Sequence, residues 1–410
     1  MFGMSSVGNA AAFKVLYTFG TSGSSDAALP EGPMIMDAAG NLYGTTVGGG
    51  LYGGGTVFEL VKNSTGSWTE KILYNFKDGA DGGLPLGTIV FDAEGNLYGA
   101  ASQGGLVDQN CTIGCGVVFE LTPSSGEWTE TVLYTFTGIP DGGMPSGVVM
   151  DAAGNLYGTT TIGGVANACS LGCGTVFKLI KADAWKKEIL HTFFNYPVDG
   201  AYPIGGVVFD AKGNLYGTTD VGGLSGGFEA DGTVFELSPG AYGTWTESIL
   251  HTFCYRSVFC GDGNGPEAGV TLANGKIFGT TNNGGPSAEG TVFQLIPENK
   301  GWSVSYFDFD DLDGLGPMAP LLFLNQKFYG VTSQGGISNG ACALINGNGV
   351  IFEVAQRAQR MKENVIYEFT GGNDGCGPSA GLVADAAGNL YGTSFQGGPA
   401  NGGAVFEVTP

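Results

Sequence analysis

Apolar and polar positions alternate along this chain in short runs separated by glycine-rich turns. Gly55-Thr-Val-Phe-Glu-Leu60 and Trp68-Thr-Glu-Lys-Ile-Leu-Tyr-Asn-Phe76 are typical, with a period of two over five to nine residues. That period marks half-buried β-strands. No stretch shows a convincing helical period over two turns; residues 356–363 are the one candidate, and it is short.

The runs recur as a unit. Asn41-Leu-Tyr-Gly-Thr returns at Asn96, Asn155, Asn214 and Asn389, with weaker copies beginning at Lys276 and Lys327. The seven aromatic positions run from Tyr43 to Tyr391, with a mean spacing of 58 residues. Each unit carries four strand-type runs. The first turn, Asp37-Ala-Ala-Gly-Asn41 in unit one, tolerates the positive φ that a tight hairpin requires. In units five and six it shrinks to Ala273-Asn-Gly-Lys276 and Leu324-Asn-Gln-Lys327 without disturbing its flanks, as a hairpin tip can. Four strands per unit, repeated seven times, specify an all-β fold: a seven-bladed β-propeller of four-stranded blades. The last unit stops at Pro410, after its third strand. The chain opens with Phe13-Lys-Val-Leu-Tyr-Thr-Phe19, which matches only a fourth strand. Residues 13–19 are therefore expected to complete the last blade and close the ring. Residues 13–410 form one domain, and residues 1–12 a tail.

Composition narrows the partners. With 38 acidic and 16 basic residues the net charge is −22, so nothing on this chain complements nucleic-acid phosphate. No apolar run reaches the roughly 18 residues of a membrane span, and residues 1–6 do not read as a signal peptide. Eight cysteines fall as Cys111/Cys115, Cys169/Cys173, Cys254/Cys260 and the distant pair Cys342 and Cys376. Neither histidine lies near a cysteine, so disulfides fit better than zinc, and disulfides imply an oxidising compartment. Cys342 and Cys376 map to one face at neighbouring blades and are expected to pair. All four bridges would then decorate one face.

The unit DAAGNLYGTT…GTVFELTP…WTETVLYTF…DGxxP resembles the tandem repeat of the choice-of-anchor GloVer family, over roughly residues 13–410. The resemblance is strongest in units one to four and seven. It implies a bacterial, secreted or surface-anchored protein and assigns no activity.

Several side chains are candidates for chemistry. Trp68, Trp128, Trp185, Trp245 and Trp302 all open a fourth strand, which reads as packing between blades rather than sugar platforms. His191 and His251 fill the slot held by Tyr74, Tyr134 and Tyr367, so they read as framework rather than as triad or metal residues. Asp37, Asp92, Asp151, Asp210 and Asp385 belong to the first hairpin, where a carboxylate accepts hydrogen bonds from its own turn. Asp81, Asp141, Asp199, Asp262, Asp313 and Asp374 lie in Asp-Gly-x-x-Pro loops, with Asp26 a degenerate copy. Converging near the axis, they would bind cations or serve as acid and base toward a sugar, although a ring of identical turns can equally be structural. Asp308, Asp310, Asp311 and Asp313 form a dense carboxylate run that would suit Ca²⁺. Repeat symmetry breaks in units five and six, at Glu267, Glu289 and Lys327 among others. The expectation is a monomeric, secreted, periplasmic or surface-attached binding or scaffold propeller for an extracellular glycan or surface protein. The alternative is a carboxylate-dependent carbohydrate-active enzyme, a glycoside hydrolase or polysaccharide lyase, with its site on the stapled face.

Overall fold

The computed structural model describes residues 11–410 except 24, 108–110, 166–168, 195–198, 225–230, 256–259, 311–312, 339–341, 343–345 and 358–359. Seven four-stranded antiparallel sheets form a seven-bladed β-propeller. Blade 1 comprises Ile35–Met36, Leu42–Gly49, Thr56–Lys62 and Trp68–Asn75, from the axis outward. Blade 7 takes Val383–Ala384, Leu390–Ser394 and Ala404–Thr409 from the end of the chain, and Ala12–Thr18 from its start. Ala12–Thr18 pairs with Ala404–Thr409, so the ring is closed by strand exchange, one residue earlier than the sequence suggested. The helical reading of residues 356–363 is corrected: Val350–Arg357 and Arg360–Glu368 are paired strands of blade 6. Pairing along a buried third strand outweighs a weak local propensity there. The helical element among the described residues is a short 3₁₀ turn, Ala241–Gly243.

The blades are joined by aromatic contacts that repeat at every seam. The phenylalanine ending each fourth strand meets edge-to-face the phenylalanine of the next blade's third strand. These pairs are Phe19–Phe58, Phe76–Phe119, Phe136–Phe177, Phe193–Phe235, Phe253–Phe293, Phe309–Phe352 and Phe369–Phe406, with centroids 5.0–5.3 Å apart. The geometry is the one that ring quadrupoles favour. It also explains the glycine of Leu-Tyr-Gly: a Cβ on Gly279 would sit 2.5 Å from the Phe293 ring. The tryptophans stitch the seams as expected. Trp68 packs on Tyr391, Trp185 on Tyr98 and Trp245 on Tyr157, each in the preceding blade. Trp128 and Trp302 join the clusters around Tyr43 and Tyr216 in the same way.

All four disulfides form as the sequence indicated: Cys111–Cys115, Cys169–Cys173, Cys254–Cys260 and Cys342–Cys376. They lie in loops between second and third strands and in loops leaving fourth strands. These loops share one face, because the Asp-Gly-x-x-Pro segment runs back beside the end of the second strand, as in the Gly83–Gln103 and Cys376–Gln396 bridges.

Candidate functional site

The first-hairpin aspartates are structural. Asp37 Oδ1 accepts from the Ala39 and Asn41 N–H groups, both at 2.8 Å, and Oδ2 accepts from Asn41 Nδ2 and the Tyr43 hydroxyl. Burial pushes the equivalent carboxyls of Asp92, Asp151, Asp210 and Asp385 up, but hydrogen bonds from the following Asn, Tyr and backbone groups outweigh it and hold them low.

The loop aspartates lie at the rim. Each follows a fourth strand by a few residues and is held by it. Tyr17 donates to Asp26 at 3.2 Å, Tyr74 to Asp81 at 3.0 Å, Tyr134 to Asp141 at 2.8 Å and Tyr367 to Asp374 at 2.9 Å. His191 lies 2.7 Å from Asp199, and His251 lies 2.8 Å from Asp262. Blade 5 has Phe307 in this slot, and Asp313 accepts instead from the Asp310 N–H at 2.6 Å. A third group reaches in from the next blade, two residues after its tryptophan slot. It is Glu70, Glu130, Lys187, Glu247, Val304, Glu363 or, where the first strand completes blade 7, Phe13 against Tyr367. Burial, followed by the facing aspartate, raises Glu70, Glu247 and Glu363 to about 8 and Glu130 to about 7. Their buried Oε1 atoms meet no hydrogen-bond partner among the described residues. In the calcium candidate, Asp308 turns to the Ser287 N–H and hydroxyl, while Asp311 lies outside the described residues.

The axis is built from the other end of the same loops. The residue after each Pro lines a central cavity of about 220 Å³ to which all seven blades contribute: Glu31, Leu86, Ser146, Ile204, Glu267, Met318 and Ser379. The next residue is glycine or alanine, because neighbouring backbones touch there; a Cβ on Gly87 would overlap the Ser146 carbonyl.

The mouth of this cavity is not symmetric. Before the Pro, blades 1–4 carry Leu29, Leu84, Met144 and Tyr202, all at positive φ between 47° and 61°. Bulky side chains rarely adopt that conformation. Met144 and Tyr202 pack against the clusters that hold the Cys111–Cys115 and Cys169–Cys173 loops of the preceding blades. Blades 5–7 have Gly265, Gly316 and Gly377 in this position. The space is taken by polar side chains: a Cβ on Gly265 would meet Asp220 Oδ1 at 3.5 Å, and one on Gly316 would meet Asn282 Oδ1 at 3.0 Å and Ser333 Oγ at 3.2 Å. Asn282 Nδ2 donates to Glu267 at 3.0 Å. Burial, then the charges of Glu267 and Asp231, raises Asp220 to about 6. Burial alone raises Glu31. Glu289 is on the second-to-third-strand loop of blade 5, where its carbonyl accepts from the Gly316 N–H at 3.0 Å. Lys327 pairs with Glu353 of its own blade at 2.9 Å, away from the mouth.

Of the candidates read from the sequence, the structure brings Glu267 to the axial mouth and Glu289 to the loop beside it. It leaves the loop aspartates at the rim. Asp220, Asn282 and Glu31 were not singled out from the sequence. Aligning the repeats on the Thr-Thr and Pro positions would have exposed them: Asp220 is the one acid and Asn282 the one amide where other copies have Val47, Ser102, Thr161, Ser333 and Phe395, and Glu31 and Glu267 are the two acids after the Pro.

Comparison with known proteins bears on the scaffold. A polysaccharide lyase, Uly1, superposes with a TM-score of 0.51 at 11% identity, covering 93% of this chain and 90% of that one. The PQQ-bound aldose sugar dehydrogenase of Streptomyces coelicolor reaches 0.46 at 15% identity, covering 86% and 98%. At such identities the likeness concerns the fold. No curated protein matches. The Gloeobacter/Verrucomicrobia repeat model matches residues 108–257 and 224–410, and the chain belongs to that family.

Proposed function

We propose that the protein is a secreted or cell-surface propeller that binds a neutral extracellular glycan at its axial mouth. One observation carries this reading. Glu267 lines the central cavity, accepts from Asn282 and faces Asp220, beside the positions where Gly265 and Gly316 replace the bulky wall of blades 1–4. Carboxylates and amides at a concave mouth beside apolar Leu86, Met144 and Met318 match the mixed surface of a sugar ring. The net charge of −22 opposes polyanions, so a neutral chain is the better partner than a uronate or sulfated one. Four disulfides on this face agree with an extracytoplasmic setting. Propellers also carry polysaccharide-active enzymes, which makes a glycan a natural first ligand class to test.

A second reading, hydrolysis, is favoured by Asp220. Raised to about 6 beside a second carboxylate, it has the poise of a general acid. Incubation with neutral and anionic polysaccharides, followed by mass analysis of soluble products and of protein depletion, tests both. Retention on a neutral glycan without products supports binding. New oligosaccharides that vanish in Asp220→Asn establish the enzyme. Neither products nor depletion on any neutral glycan overturns the proposal.

A further inference from the structure

The seam between blades 3 and 4 differs from the other rim seams in its donor set. His191 Nε2, a carboxylate oxygen of Asp199 and one of Glu247 all lie within 4.8 Å of one another. Asp199 is only 2% exposed and is fixed by the Gly200 N–H at 2.7 Å. Glu247 Oε1 is buried with no hydrogen-bond partner among the described residues. Elsewhere around the rim the imidazole is missing, because a tyrosine or, in blade 5, Phe307 stands in its place, or the third carboxylate is missing. His251 and Asp262 repeat the pair at 2.8 Å, but Val304 occupies the slot of Glu247.

The preceding seam shows what this position accepts. There the third slot is Lys187, whose ammonium sits 2.7 Å from Asp141 Oδ1 with the lysine side chain only 5% exposed. It lies 5.1 Å above the Phe136 ring. A rim seam thus holds a buried cation when its own chain supplies one. The blade 3–4 seam offers two carboxyl groups and an imidazole to the same space and has no lysine there.

We propose that His191, Asp199 and Glu247 form a binding site for a first-row divalent cation, zinc in the first instance, that clasps blade 3 to blade 4. One nitrogen and two oxygen donors suit zinc, which commonly takes three protein ligands and a water. Ligands about 2.0–2.1 Å from a tetrahedral metal sit about 3.3 Å apart, so the His191–Asp199 contact of 2.7 Å opens slightly on binding. Metal ligands bind in their deprotonated form, so uptake is linked to proton release. The site is separate from the axial mouth and does not depend on its ligand.

The test is calorimetric titration of the full, EDTA-stripped chain with zinc chloride at neutral pH, in two buffers of different ionisation enthalpy. One saturable ion per chain with proton release is expected. His191→Tyr installs the residue found in other blades and keeps the contact to Asp199, so the fold is retained. It should weaken uptake by at least the 10- to 100-fold that loss of an outer-shell partner typically costs. Glu247→Gln serves the same purpose should His191→Tyr fail to fold, and His251→Tyr should leave uptake unchanged. Absence of saturable uptake by the wild type overturns the proposal. So does a folded His191→Tyr or Glu247→Gln variant with wild-type affinity, or an equal loss in His251→Tyr.

Discussion

At the rim, Asp81, Asp141, Asp199 and Asp374 each meet a tyrosine or histidine of their own blade and the next blade's outer strand. At the axial mouth, Asp220 and Glu267 meet each other's charge and an asparagine, beside an open cavity. Both regions are rich in partly buried carboxyl groups with raised proton affinity. The difference lies in repetition. A group that recurs in blade after blade has a recurring partner and serves the seam. Asp220 is the one acid among its equivalents, and Glu267 shares its position only with the acid Glu31, so neither has a partner that recurs from blade to blade. Perturbed carboxyl groups alone therefore do not mark a site in this ring; loss of symmetry together with an opening does.

The largest effect is expected where a rim partner is removed. Lys187→Met leaves the buried Asp141 carboxylate without its cation and should cost about 3–5 kcal/mol in chemical denaturation. Lys187→Glu rebuilds the arrangement of the other seams and should recover much of that loss. Full stability in Lys187→Met would show the seam charges to be dispensable.

The second effect is on pH dependence. Glu70, Glu247 and Glu363 rise from 4.5 to about 8 on folding. A raised folded-state value means that the folded chain holds the proton more tightly. This stabilisation is complete below about 4.5 and is lost as pH rises through about 8. The melting temperature should therefore fall between pH 5 and pH 9, and the triple Glu→Gln variant should flatten that slope. A wild-type slope of opposite sign would contradict the raised proton affinity of these carboxyl groups.

Moving to the mouth, Gly265→Leu carries the wall of blades 1–4 into blade 5. Leucine at φ 61° should cost about 1–2 kcal/mol, yet it crowds Asp220 and should abolish glycan retention. The smallest stability change is expected for Glu267→Gln, within about 0.5 kcal/mol, since the amide oxygen still accepts from Asn282. Its effect should appear in ligand retention and in Asp220, which should titrate below its value of about 6 once the neighbouring charge is gone. A Glu267→Gln variant that unfolds would place this residue with the rim groups.

Much of the framework is legible in the sequence because the repeat supplies its own control. The tyrosine slot places His191 and His251 on an outer strand, where they face Asp199 and Asp262 as the tyrosines face Asp81, Asp141 and Asp374. The loop aspartates were harder to place. The loop carries Asp81 at its outer end and Pro85 nearer the axis, and four extended residues span about 13 Å. Sequence spacing says that both belong to one loop, but not which end faces the cavity. The partner two residues beyond each tryptophan is invisible for a related reason: Glu130 meets Asp81 only because the next blade is laid against the first.

The sequence by itself determined the number of blades, their strand order, the ring closure by the N-terminal strand, to within one residue, and the four disulfides, because these follow from local period, turn chemistry and repetition. The tertiary structure alone decided which carboxyl groups face one another across seams and which stand open at the axis. Those relations depend on the radial position of each residue and on the twist between blades, and neither is written in the spacing along one chain.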